Sequence, residues 1–265
     1  MNRRTRRLLN TLSTWEPEMV VIPGGPFLMG SDPAIDPAAE PCEMPQHTLD
    51  LPAYAIGKLP VTNAQYSLFL RATRYEPPRT RRWWRFKWRR PPLFRQNHPA
   101  VYVSWYDALA YCKWLSKVTG KRYRLPNEPE WEKAARGTDG RRYPWGDEWD
   151  AACCHTAETC ERERCEPVGT RPTGASPYGV LGMVGNIWEW TRSMWGYDIY
   201  KAHYGYPYDA TDGRENQHAP TTIRRVLRGV SFYNGARVAR CAARYRYSPY
   251  NTFNSVGFRV AQTLG

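Results

Sequence analysis

Residues 153–165 bring together Cys153, Cys154, His155, Cys160 and Cys165, whose sulfur and imidazole groups bind zinc, join as disulfides or stay as thiols. The stretch has no C-x-x-C pair and is rich in charge, so all three readings stay open. His47, His98, His155, His203 and His218 show no metal-ligand spacing. A second chemistry is recognition. Residues 231–255, SFYNGARVARCAARYRYSPYNTFNS, hold the Tyr, Asn, Ser and Gly mixture of antibody-like paratopes. Tyrosine gives rigid amphipathic area at low entropy cost, and Ser, Gly and Asn adapt their hydrogen bonds. The competing reading packs these tyrosines inside the last strands, but a core favours Val, Ile and Leu over hydroxyls and amides. A third chemistry lies in the basic run 79–95, where Arg81, Arg82, Arg85 and Lys87 interleave with Trp83, Trp84, Phe86 and Trp88. It reads as an ordered insertion with cation–π support, or as a docking segment for an acidic partner or a membrane surface. Binding of single-stranded nucleic acid by stacking is not expected.

These groups need a scaffold, and the chain is long enough to supply one. Its 265 residues suit a single core that needs no disulfide help. A hydrophobic content of 42% with 14% aromatics excludes a disordered chain. With 38 Lys+Arg against 25 Asp+Glu, the net charge is +13. No apolar run approaches the ~20 residues of a membrane helix. Residues 1–17 form a basic leader with no apolar h-region, so a cytoplasmic location with mostly free thiols is expected. A strand opens at Met19–Ile22 and breaks at the Pro and Gly that follow. Helical spacing begins after Thr62, again from Ser104 to a stop at Gly120, and again over 127–136, with Asn127 capping and Glu130 at the third helical position. The 23 Pro and 20 Gly predict many turns and long packed loops, so the fold class is mixed α+β.

Several motifs go beyond propensity. MVVIPGGPFLMGSD, LPVTNAQYSLFL, HPAVYVSWYDALAYCKWLS, YRLPNEPEWEKAARG, YPWGDEWD, GMVGNIWEW, RVLRGVSF and VGFRVA follow one another in order. This series resembles the formylglycine-generating-enzyme/sulfatase-modifying-factor family and spans 18–262. The resemblance implies the family's variant of the C-type lectin fold: small twisted antiparallel sheets, two main helices and extensive ordered loops, in one domain over 18–265. It also implies a function to be checked residue by residue. The family's oxidases resemble one another in a copper-binding cysteine pair just before an Arg-Cys-Ala-Ala-Arg segment. Here Cys241 matches the cysteine inside that segment, whereas 233–239 holds none. Copper is therefore not expected, and no catalytic residue is assigned. The resemblance places one calcium site at Gly185, Ile187 and Glu189, but Gly182 stands where a side-chain ligand is usual, so calcium stays open. The rival reading of Trp188-Glu189-Trp190 is core packing around a paired glutamate.

Within the frame 228–260, the segment also resembles the variable region of diversity-generating-retroelement target proteins. Its candidate ligand-binding residues are Phe232, Tyr233, Asn234, Val238, Tyr245, Tyr247, Ser248, Tyr250, Asn251, Thr252, Phe253, Asn254 and Ser255. Each of these types is reached by changing the first two bases of an Asn codon ending in a pyrimidine. The segment lacks Lys, Glu, Gln, Met and Trp. The function expected is a non-catalytic protein that displays a variable surface to a macromolecular ligand. The alternative is an oxidoreductase acting on a protein thiol.

Overall fold

A computed structural model describes residues 15–76, 93–161 and 164–264. Arg81, Arg82, Arg85 and Lys87 lie outside the described residues, as does most of the leader. Among the described residues, ten strands fall into three sheets. The first has the order β1 (Met19–Ile22), β4 (Tyr54–Gly57), β10 (Ala261–Thr263), β5 (Tyr123–Arg124). The second is the hairpin of β2 (Gly25–Met29) and β3 (His47–Leu51). The third runs β8 (Arg244–Tyr247), β7 (Arg224–Arg228), β6 (Trp188–Gly196), β9 (Val256–Gly257). Pairing is antiparallel except where β9 runs parallel to β6, a departure from the all-antiparallel expectation. The small, loop-linked sheets and the helices are those of the formylglycine-generating-enzyme type of C-type lectin-like fold.

Three α-helices occur among the described residues: α1 (Asn63–Thr73), α2 (Trp105–Thr119) and α3 (Glu128–Arg136). Each starts on a reciprocal capping box, Thr62 with Gln65, Ser104 with Asp107, and Asn127 with Glu130. Such boxes satisfy backbone donors that the first turn leaves without partners. Gly120 closes α2 in the left-handed conformation that glycine adopts without penalty. Aromatic rings join α1 and α2 to the sheet: Tyr66, Phe69, Tyr111 and Trp114 pack on one another and on Phe258.

Charge is buried as well. Arg228 of β7 and Arg244 of β8 reach Glu128 of α3, and Arg228 also binds Glu132. All four side chains are fully buried. The two arginines also donate to the carbonyls of Cys42, Tyr204, Cys241 and Ala242, while the glutamates accept from the Tyr206 hydroxyl and Glu132 also accepts from the Gly30 amide and pairs with Arg136. This lattice fixes α3 against the sheet that carries the C-terminal segment. Arg240, held by Asp36 and Glu43, ties that segment to the loop before β3.

Candidate ligand-binding face

The site grows from β6, β8 and two turns. At the start of β6, Trp188 stacks on Tyr245 of β8 with ring centroids 5.3 Å apart. Tyr245 meets Tyr247 edge-on at 5.1 Å, because alternate residues of a strand share one face. Tyr247 in turn meets Phe253 at 4.6 Å. On the other side of Trp188 lies the turn 231–234. The Trp188 indole Nε1 donates to Asn234 Oδ1 at 3.0 Å, and the Ser231 amide and hydroxyl donate to the same oxygen. Tyr233 follows, 49% exposed, its hydroxyl accepting from Asn254 Nδ2 at 2.7 Å. Phe253 is 36% exposed. Four rings and two amides thus form one face, laid over Trp188, which is itself only 6% exposed. Aromatic groups of this kind carry most of the binding energy where a ligand is held.

The sequence-expected residues divide by position. Tyr233, Asn234, Tyr245, Tyr247, Phe253 and Asn254 come together on the face. Tyr250 packs on Tyr106, with ring centroids 4.9 Å apart, and Ser248, Asn251 and Thr252 are half-buried beside it. Val238 is half-buried and packs on the core. Two residues are corrected. Phe232 is only 1% exposed because the turn sends its ring inward, toward His155 and beneath Tyr233. Ser255 is 8% exposed, its carbonyl accepting from the Trp188 amide. Both support the face rather than display a side chain.

Trp188, read in the sequence as core, is buried beneath the face and holds Tyr245 and Asn234 in place. Tyr102 is also near, its amide bonded to the Phe253 carbonyl and its backbone at φ +60°. Val230 and Asn186 share that left-handed conformation. Asparagine tolerates it, but for β-branched Val230 it is strained.

The calcium expectation meets a different arrangement. Glu189 is fully buried, and its two carboxylate oxygens accept from Arg259 Nε and Nη2 at 2.6 and 2.8 Å. Trp131 Nε1 adds a third donor at 2.8 Å. Arg259 also reaches the carbonyls of Leu181 and Gly182, and the Gly185 carbonyl accepts from the Ile187 amide. A guanidinium already supplies the positive charge at this carboxylate, so Gly185, Ile187 and Glu189 do not fit a calcium ion.

The segment 233–239 holds no cysteine. The nearest cysteine in sequence, Cys241, is wholly buried, and burial pushes its thiol up to about 12. Cys153, Cys154, Cys160 and Cys165 are free thiols, as are the other three cysteines. Among the described residues no group of three or more His, Cys, Asp or Glu side chains has a metal-holding arrangement. Burial raises Cys154 to about 12 and Cys165 to about 11.

A lectin-like scaffold with these small sheets, helices and ordered loops is a domain of the formylglycine-generating-enzyme-like class. The sulfatase-modifying factor enzyme 1-like domain model matches residues 6–264, and the chain belongs to that family. The formylglycine-generating enzyme of Thermomonospora curvata is 32% identical over 295 aligned positions, covering 92% of each chain. Among solved structures, PvdO from Pseudomonas aeruginosa superposes with a TM-score of 0.76 at 29% identity, covering 95% of this chain and 96% of PvdO. Treponema denticola variable protein 1 shares the fold with a TM-score of 0.65 at 21% identity, over 92% of this chain and 94% of its own. No helix among the described residues is long and apolar enough to cross a membrane.

Proposed function

We propose that the chain is a non-catalytic ligand-binding member of its family, gripping a macromolecular ligand through the face of Tyr233, Asn234, Tyr245, Tyr247, Phe253 and Asn254, backed by the buried Trp188. The observation that carries this reading is the unbroken run of ring contacts from Trp188 to Phe253, flanked by two half-buried amides. Rigid aromatic anchors ringed by adaptable polar groups suit recognition. The residue types suit display of sequence diversity, as in retroelement-diversified proteins, and the shared fold with a variable protein of Treponema denticola is compatible with that use. An acidic partner for the basic run 79–95 belongs to the same proposal as a secondary contact.

A thiol oxidase is the second reading, favoured by the 32% identity to a formylglycine-generating enzyme over 92% of the chain. It requires a soft-metal site, and the absence of cysteine from 233–239 counts against it. One experiment separates the two. The purified chain is titrated with Cu(I) and supplied with oxygen and a cysteine-containing peptide. No peptide oxidation above that of free copper supports binding, and chain-dependent turnover supports the oxidase. Sequencing sister copies of the gene tests the diversified character: differences concentrated at the face residues support it, and an even spread removes it.

A further inference from the structure

We infer that Asn234 orients the ligand: its side-chain NH2 is a fixed hydrogen-bond donor for a carbonyl or carboxylate oxygen carried on a flat, π-bearing group. The inference rests on the binding reading above.

The argument begins with what holds the amide. An indole N–H only donates, so the atom of Asn234 that faces Trp188 must be the oxygen. The Ser231 amide and hydroxyl point at the same oxygen, at 3.2 and 2.9 Å. Turning the side chain over would set its NH2 against donors and forfeit these bonds. The backbone is pinned too: the Asn234 amide donates to the Ser231 carbonyl at 2.9 Å, and its carbonyl accepts from Ala157 at 3.0 Å. One end of the side chain is therefore saturated. The other, Nδ2, makes no hydrogen bond among the described residues and is not among the buried unpartnered atoms, so it reaches solvent.

An unpartnered donor whose direction is already set loses little entropy when a ligand accepts from it. Its neighbours define the rest of the ligand. Tyr245, half-buried and stacked on the buried Trp188, lies beside it, and Tyr233 is the preceding residue in the chain, its hydroxyl held by Asn254. Flat groups pack best against such rings.

Benzamide and benzoate, which offer a carbonyl or carboxylate, are compared with benzylamine, which offers only donors. Binding is followed by the side-chain NH2 signals of Asn234 and the backbone signals of 233–254 in nitrogen–proton NMR spectra. Benzamide and benzoate are expected to move the NH2 signals and to bind more tightly than benzylamine. Asn234→Asp keeps an oxygen for Trp188 and Ser231 but replaces the outward donor with an acceptor. It is expected to weaken benzamide and benzoate by about tenfold, or 1.4 kcal/mol, and to favour benzylamine. Tyr247→Ala reports on the face itself. If Tyr247→Ala weakens every probe while Asn234→Asp leaves their ranking unchanged, the role of Asn234 is overturned and the binding face stands. If no probe moves any signal of the face, both fall. Should Asn234→Asp fail to fold, Ser231→Ala loosens the amide, and an unchanged preference for benzamide over benzylamine then overturns the inference.

Discussion

Arg259 grips both carboxylate oxygens of Glu189 from across the sheet, at 2.6 and 2.8 Å, in a pocket closed to solvent. Removing one partner of such a pair strands the other. Glu189→Gln is expected to cost roughly 3–5 kcal/mol, read from urea unfolding. The same pairing predicts that added calcium leaves the melting temperature unchanged. A calcium-dependent rise of several degrees, lost in Glu189→Gln, would contradict this account of the site.

A second buried lattice sets the acid limit. Burial pushes the Glu128 carboxyl upward, but Arg244 and Arg228 outweigh it and hold the group below its ordinary range. A carboxylate held low stabilises the fold fully above the unfolded value of about 4.3, and that contribution is lost as pH falls through the lower folded value. Stability should therefore stay level through mildly acidic solution and drop steeply below the unfolded value. Glu128→Gln should flatten that drop while lowering stability near neutrality. An unchanged acid limb in the variant contradicts the assignment.

Much of this frame was legible in the sequence, for local reasons. Thr62, Ser104 and Asn127 announce their helices because a capping side chain acts within three residues. Arg228, Arg244, Glu128 and Glu132 gave no such signal. Charged residues read as surface, and only the fold brings these four together. Phe232 and Ser255 mark the matching limit at the site. Residue type suggested display, but the turn 231–234 breaks strand alternation and turns Phe232 inward. Trp188 was legible as core, and its buried indole also backs the face.

Val230 sits at φ +62° with its side chain fully buried. Left-handed strain at a residue of this kind costs about 1–3 kcal/mol. Elsewhere glycine is less stable than alanine by about 0.5–1 kcal/mol. Here the order should invert, with Val230→Gly at least as stable as Val230→Ala in urea. The ordinary order would show that the turn carries no strain.

Thiol labelling probes the sulfur chemistry. Burial raises Cys112, Cys154 and Cys241 to about 12 each, which leaves little thiolate in mildly alkaline solution. Half-buried Cys160 should label with maleimide first, and these three only after unfolding in urea, as mass spectrometry would reveal. Labelling of Cys241 in the folded chain at the rate of Cys160 contradicts this order.

The binding face is tested most directly by mapping a library of small aromatic fragments on the nitrogen-labelled chain. The account predicts that perturbed backbone signals gather on residues 188 and 233–254 and weaken together in Tyr247→Ala. Perturbations scattered over the surface, or gathered around another part of the fold, would contradict it.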